Sequence, residues 1–318
     1  MSDRAVTAFA PGSVGNVGPG LDILGLAVAG DGDTVRAEWL SEPGVRMLDP
    51  GHPELPTETD RHTAGLAARA VIERAGGARA QGRGVGLTVR KGLPLSGGQG
   101  GSAASAVAGA VAVNALLGDP LGRMELIEVC LDAEEAVAGR HADNIAPSLL
   151  GGIVLIRATD PLDVIQLPVP AELFVVLAQP QQRMRTADAR AVLPREVSRA
   201  VALHQAAHVA AMVAALALDD YELLARSLDD RIAEPARAGL LPGFPEAKAA
   251  ALAAGALGSS ISGSGPTSFA LARGRESAER IAAAMEAAYR AGGVECRVRV
   301  GPVDRAGATV RREEAGSR

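Results

Sequence analysis

The stretch "PLSGGQGGSAAS", residues 94–105, constrains this chain more than any other. Four of the five residues from Gly97 to Gly101 are glycine, and an alanine- and serine-rich helix former follows at once. Glycine loses more backbone freedom on folding than any other residue. So many glycines before a helix mean either a flexible linker or something that must come very close to the backbone. The strand-like "GVGLTVRKG" precedes the loop and helical spacing from Ser102 to Leu117 follows it, which leaves little room for a linker. A strand, glycine loop and helix in that order aim backbone N–H groups and the positive helix end at one point. That is an anion site, most often for phosphate. A tight turn with close helix–strand packing gives the same pattern, and glycine spacing alone does not separate the two.

The 318 residues suffice for two domains, or one large one with a sizeable core. A hydrophobic fraction of 47% excludes a disordered chain, and an aromatic fraction of 2% leaves Leu, Val, Ile and Ala to fill the core. With 37 acidic against 32 basic residues, the net charge of -5 gives no electrostatic footprint for nucleic acid. Cys130 and Cys296 form neither a CxxC nor a metal spacing, so a reducing cytoplasm is the expected setting. The start "MSDRAVTAFAPG" has no signal-peptide core. The apolar runs "SAVAGAVAVNALLG" and "AAHVAAMVAALAL" stop short of the ~20 residues that span a membrane, so no membrane association is expected.

Along the chain, "RAVTAF", "DTVRAEW" and "GVGLTVRKG" read as strands, and Thr63 to Ala75 as a helix ending at Gly76-Gly77. Helices follow at Ser102–Leu117 and Arg123–Val137, then a polar stretch "GRHADNIAPSLLG" and a strand "GGIVLIRA". The prolines between Pro161 and Pro170 mark a domain boundary, giving residues 1–160, 161–305 and a frayed tail 306–318. The second part reads as the strand "LFVVLAQ", helices near 187–193, 196–218, 221–228 and 246–254, the strand–turn–strand "GALGSSISGSGPTSFALA", a helix at 276–291 and a strand "ECRVRVG". There is no repeat of 20 to 50 residues.

Three familiar glycine loops fail. A Walker A loop ends in Lys-Ser/Thr, and neither of the two lysines, Lys91 and Lys248, follows such a loop. A dinucleotide fingerprint belongs on the first strand of a βαβ unit, with an acidic residue about 20 positions on at a strand end. A protein kinase needs a lysine strand before the loop and a DFG after it. What remains is a loop followed by a serine. The pattern P-x-x-x-G-x-G-x-S-A-A, Pro94 to Ala104, resembles the phosphate-binding motif of the GHMP kinases. "APGSVGNVGPGLDILGLAV" resembles their N-terminal substrate motif, and "GALGSSISGSGP" their third motif, in the same order and spacing. Within that superfamily, "NVGPGLDILGLAV", "GRHADNIAPSLLGGIVLI", "TADARAVLP" and "RIAEPARAGLLPG" resemble the homoserine kinases. One departure is Gly101 where the family usually has the first of two serines.

The resemblance implies a mixed α/β (α+β) two-domain GHMP kinase fold, with an N-terminal glycine-loop domain, a C-terminal ferredoxin-like α+β domain and substrates in the cleft between them. It implies ATP and Mg2+, with the ATP phosphates on Pro94, Leu95, Ser96, Gly97, Gly98, Gln99, Gly100, Gly101, Ser102, Ala103 and Ala104. Hard oxygen ligands suit magnesium, and the resemblance supplies Ser102 and Glu134; Glu135 reads as a solvated neighbour. For L-homoserine it implies Asp22 with Asn16 at the ammonium, Arg190 and Arg237 at the carboxylate, Asn144 at the hydroxyl, and His141, Thr186 and Gly263 lining the pocket. Asn16 and Asp22 can equally be turn residues around Gly18-Pro19-Gly20, and Arg231 competes with Arg237.

The expected reaction is phosphorylation of the L-homoserine hydroxyl in threonine biosynthesis. A shikimate- or isoprenoid-type kinase, or a catalytically silent ligand-binding member of the fold, are the alternatives. Family members are often homodimers. No lysine is assigned near a motif to pair with an aspartate, as in mevalonate kinases. The hydroxyl proton is therefore expected to pass to phosphate or solvent, with Asp143 structural. His62 stands where relatives often carry asparagine near the adenine. His204 and His208, four apart on a helix, lack a third metal ligand in sequence.

Overall fold

In a computed structural model, residues 5–76, 82–137 and 139–313 are described. The first part contains β1 (Ala5–Gly15), β2 (Leu24–Leu40), β3 (Gly44–Asp49), α1 (Thr63–Arg74), β4 (Gly84–Arg90), α2 (Gly101–Leu116), α3 (Arg123–Glu135), α4 (Ala142–Leu150), β5 (Ile153–Thr159) and β6 (Leu162–Leu167). The second contains β7 (Leu173–Pro180), α5 (Thr186–Ala191), α6 (Arg199–Leu218), α7 (Tyr221–Ser227), α8 (Ala233–Arg237), α9 (Phe244–Ala253), β8 (Gly258–Ile261), β9 (Ser268–Arg273), α10 (Arg275–Ala291), β10 (Cys296–Pro302) and β11 (Thr309–Glu313). Strands β11-β1-β2-β4-β3 run in that order in a seven-stranded sheet, with β5 on β2 and β6 on β5; β10-β7-β9-β8 form a second, four-stranded sheet.

Helix α2 carries the loop at its N-terminus. Fourteen of its sixteen residues are buried, among them every Ala and Val. A helix apolar all round belongs inside a protein. Small residues let α1 come close: a Cβ on Gly109 would sit 2.7 Å from the Ala64 carbonyl oxygen. The first core fills the space between the large sheet and α1–α4. A second core joins Leu24, Leu26 and Ile153 of the first sheet to Leu173, Val175, Met212 and Phe269 of the second part. That shared core fixes the two walls of the cleft.

The structure departs from the sequence expectations in four places. "GRHADNIAPSLLG" contains α4, whose Pro147 leaves the Asp143 carbonyl without a helical donor; bare Gly25 makes room for that oxygen, where a Cβ would lie 1.8 Å away. The boundary expected at 160/161 falls inside the β5–β6 hairpin, whose two strands pair from Thr159 and Leu162 onward. Of the expected tail 306–318, Thr309–Glu313 instead forms β11 on β1, and residues 314–318 lie outside those described, as does Gly77. Finally, α6 is 20 residues long and, among the described residues, the one helix long and apolar enough to cross a membrane. Here Met212, Ala215 and Leu216 of α6 pack into the second core.

Candidate active site

The three glycine-bearing segments meet at the start of α2. Three successive loop carbonyls are held from behind. Thr267 Oγ1 donates to Gly97 O (2.5 Å), Ser262 Oγ to Gly98 O (2.6 Å) and the Ser13 amide to Gln99 O (3.1 Å). Gly98 has φ +73°, and a Cβ there would lie 2.6 Å from Gly265 O. Gly100 caps α2 at φ +67°, where a Cβ would meet Ser13 Oγ at 2.1 Å. Both positions therefore require glycine. Gly101 does not: its Cβ would meet nothing closer than Pro94 O at 3.3 Å, so the usual serine would fit after a shift of a few tenths of an ångström.

A cavity of about 870 Å3 opens in front of this loop. Pro94, Leu95, Ser96, Gly97, Gly98, Gly100, Gly101, Ser102 and Ala103 line it. Gln99 and Ala104 do not. The Gln99 amide turns toward Gln179 Oε1 (3.2 Å) and Thr267 Oγ1 (3.3 Å), and Ala104 is wholly buried in the first core.

Glu134, on the last turn of α3, lines the same cavity beside Ser102. It is buried, and its Oε1 has no hydrogen-bond partner. Burial pushes its carboxyl up to about 6, against the opposing pull of the Ser102 hydroxyl and Lys91. Glu135 points to solvent and pairs with Arg140 at 3.0 Å. An unpartnered buried carboxylate oxygen beside a hydroxyl fits a divalent cation.

Arg190 lines the cavity and forms a two-pronged pair with Asp22, Nη2 to Oδ1 at 2.7 Å and Nη1 to Oδ2 at 3.3 Å. Burial raises the Asp22 pKa, but the Arg190 hydrogen bond and charge, with His141 and Arg237, outweigh it and hold the carboxyl below its usual range. His141 Nδ1 lies 3.5 Å from Asp22 Oδ1. Burial, then Arg190, pushes its pKa down. Asn16 and Asp22 both sit at positive φ, with the Asp22 amide on Asn16 Oδ1 at 2.8 Å. Both are turn residues; Asn16 also lines the cavity, whereas Asp22 does not and reaches it only through its partner Arg190.

Gly263 O accepts from Asn16 Nδ2 and from Arg237 Nη1, each at 2.9 Å. Arg237 is 2% exposed and also donates to Ala189 O, so it is built into the cavity floor. Arg231 instead lies 3.4 Å from Asp229, off the cavity lining. Asn144 accepts from Ser13 Oγ (2.9 Å) at the foot of the loop, and Thr186 opens α5 at the rim.

The Lys91–Asp33 pair carries no sequence signal. Lys91, set aside in the sequence, stands beside the loop: its buried ammonium pairs with Asp33 and donates to Gly101 O (2.9 Å) and Ser105 Oγ (3.0 Å). Asp33 also accepts from the Gly92 and Leu93 amides, so this pair anchors both ends of the loop. His62 caps α1 through Nδ1 and meets Pro50 O through Nε2 at 3.3 Å.

Asp143 is fully buried on the cavity wall and accepts the Asn16 amide at 2.9 Å. Burial, then the Asp22 charge, raises its pKa from 3.8 to about 6. A raised folded pKa favours the folded state in acid, and that contribution is lost as pH rises through about 6. At pH 8 the ionised group costs up to about 3 kcal/mol. Asp143→Asn should therefore raise Tm by several degrees at pH 8 and leave it nearly unchanged near pH 3, below the ordinary carboxyl value of 3.8, in paired thermal melts. A variant less stable at both pH values would show that the charge is not the source of the penalty.

Family models match both parts of the chain, "GHMP kinases N terminal domain" over residues 62–152 and "GHMP kinases C terminal" over 212–291. A homoserine kinase of Chlorobium phaeobacteroides (strain BS1) is 43% identical over 298 residues, 90% of this chain and 92% of that one. The homoserine kinase of Arabidopsis thaliana is 41% identical over 96% of this chain and 84% of its own. The crystal structure of homoserine kinase from Cytophaga hutchinsonii superposes with a TM-score of 0.93 at 39% identity, covering 98% of each chain. A mevalonate kinase of L. major, at 18% identity and a TM-score of 0.70, shares the fold alone.

Proposed function

Because the chain belongs to the GHMP kinase family, among its homoserine kinases, we infer that its cleft passes the γ-phosphoryl group of ATP to the side-chain hydroxyl of L-homoserine. Membership carries the reaction, a kinase step of threonine biosynthesis that yields O-phospho-L-homoserine. The assignment of residues rests on the geometry above.

The observation that carries the reading is Arg190, which lines the same cavity as the glycine loop and is paired with Asp22. An amino acid brings one ammonium and one carboxylate. Each can take one member of the pair, so no charge is left alone when the pair opens. Arg190 suits the carboxylate because its planar fork binds both oxygens, and Arg237 supports it from the floor. Asp22, oriented by Asn16, takes the ammonium. The hydroxyl then lies toward Asn144, whose Oδ1 is already taken by Ser13 and whose amide nitrogen is left to donate.

On the ATP side, the loop from Pro94 to Ser102 presents amides and the positive end of α2 to the phosphates. Magnesium would be held by Ser102 and Glu134 and would neutralise charge on the phosphates. Positioning and charge neutralisation do most of the work in this chemistry, which suits a site with no lysine–aspartate pair at the hydroxyl. Asp143 holds the Asn16 amide and thus the ammonium site; the hydroxyl proton goes to phosphate or solvent. Asp143→Asn should accordingly keep kcat within about tenfold of the parent, whereas loss of a general base costs ~10²–10⁴-fold.

Phosphorus NMR of the product tests the reading. A phosphate monoester coupled to the side-chain methylene of homoserine is expected. An acyl phosphate, or free phosphate without product, would contradict it.

A further inference from the structure

Away from the cleft, we propose that His204, His208 and Asp229 form a surface site for one transition-metal ion of the zinc type. It is separate from the magnesium position and acts as a structural clip.

The two histidines stand four apart on α6, and Asp229 comes from the segment between α7 and α8. One ligand atom from each of the three lies within 4.8 Å of the others. Two imidazoles and a carboxylate, with room for water on the solvent side, are a donor set suited to Zn2+ rather than to Mg2+.

The tautomers point the same way. His208 Nδ1 faces the backbone carbonyl of His204 at 2.9 Å. A carbonyl only accepts, so the proton sits on Nδ1 and the Nε2 lone pair is free. Metal-binding histidines are typically oriented in this way. His204 Nε2 is buried and makes no hydrogen bond, although Asp229 Oδ2 is only 3.0 Å away, because the carboxylate lies off the N–H direction. The rings stack with centroids 3.7 Å apart. An ion between the nitrogens and the carboxylate would satisfy all three groups. Asp229, half exposed, has room to turn toward the ion. The only competing cation facing Asp229 among the described residues is Arg231, with Nε at 3.4 Å on the exposed side.

The neighbouring residues give the clip its reach. Gln205, next to His204, donates to Pro19 O (3.1 Å) in the substrate motif and to Asp230 Oδ1 (3.0 Å). Asp230, next to Asp229, caps α8 through the amides of Ile232, Ala233 and Glu234, and α8 ends at Arg237. An ion at this site ties α6 to the segment that leads into α8.

The test is a ZnCl2 titration of the full-length, untagged protein without nucleotide, by calorimetry and by thermal melts. One equivalent should bind to the parent, with a rise in Tm of about 5 °C at a hundredfold excess over Kd. His208→Ala should weaken binding by ~100-fold or more, at or beyond the loss typical for groups behind the ligands. Asp229→Asn should weaken it less. Both should keep the parental Tm in the absence of zinc, which separates loss of a ligand from loss of fold. Glu134→Gln should bind zinc as the parent does. Absence of binding would overturn the site, as would equal affinity in His208→Ala. Binding lost in Glu134→Gln would place the ion in the catalytic cleft instead.

Discussion

Replacing Glu134 by Gln should lower kcat by ~10²–10³-fold, the scale on which a single preorganised charge-stabilising group acts. Replacing Glu135 by Gln should leave kcat close to the parental value. The two side chains are neighbours at the end of α3 but live in different media. Glu134 is buried, its Oε1 is unpartnered, and burial pushes its pKa to about 6. A cation bound there restores the carboxylate and gives the buried charge its partner. Glutamine keeps the shape and loses the charge. Glu135 is exposed and pairs with Arg140, and such surface pairs contribute little. Steady-state kinetics over a magnesium titration separates the causes: Glu134→Gln should need more magnesium as well as turning over slowly. A comparable loss at Glu135 with none at Glu134 would move the ligand by one residue.

The second large effect concerns the clamp. Losing one member of a desolvated charge pair typically costs ~2–5 kcal/mol, because the other charge is left unpaired. At ~1.4 kcal/mol per tenfold, Arg190→Ala should lower kcat/KM for L-homoserine by about 30-fold to a few thousand-fold. The loss should be much smaller on a homoserine ester, whose carboxylate is masked. Asp22→Asn should impair acid and ester alike, since both keep the ammonium. In the structure each is the other's partner at 2.7 Å. Removal of either therefore strands the other, and both variants should leave ATP binding at the loop intact. Equal losses on acid and ester for Arg190→Ala would hand the carboxylate to Arg237, which is fully buried on Gly263 O and Ala189 O.

Much of this site is legible in sequence because the loop chemistry is local. Gly98 and Gly100 must be glycine for reasons of φ and close approach, and such constraints leave a pattern in the chain itself. What holds the loop comes from afar, and although Ser13 and Ser262 lie within the first and third motifs, nothing in the chain shows that they reach the loop. Ser262 and Thr267 reach it across 164 and 170 residues, and the Asp33–Lys91 pair spans 58. Helix α4 reads as a polar stretch because Asp143 and Ser148 are polar although buried and Asn144 is polar and half-buried; their partners are Asn16, Pro11 and Ser13 on β1 and the turn after it. Strand β11 reads as a charged tail because at a sheet edge its side chains stay exposed while its backbone pairs with β1. His204 and His208 lack a third ligand until folding brings up Asp229.

A coupled ADP-release assay tests the central claim most directly. It compares L-homoserine with 4-hydroxybutyrate, which lacks the ammonium, with 3-aminopropanol, which lacks the carboxylate, and with shikimate and mevalonate. L-homoserine should give the highest kcat/KM, and each analogue lacking one charge should fall at least ~30-fold below it, the lower bound set by an unpaired partner in the Asp22–Arg190 pair. Turnover of 4-hydroxybutyrate or shikimate at the rate of L-homoserine would contradict a cleft built to read both ends of an amino acid.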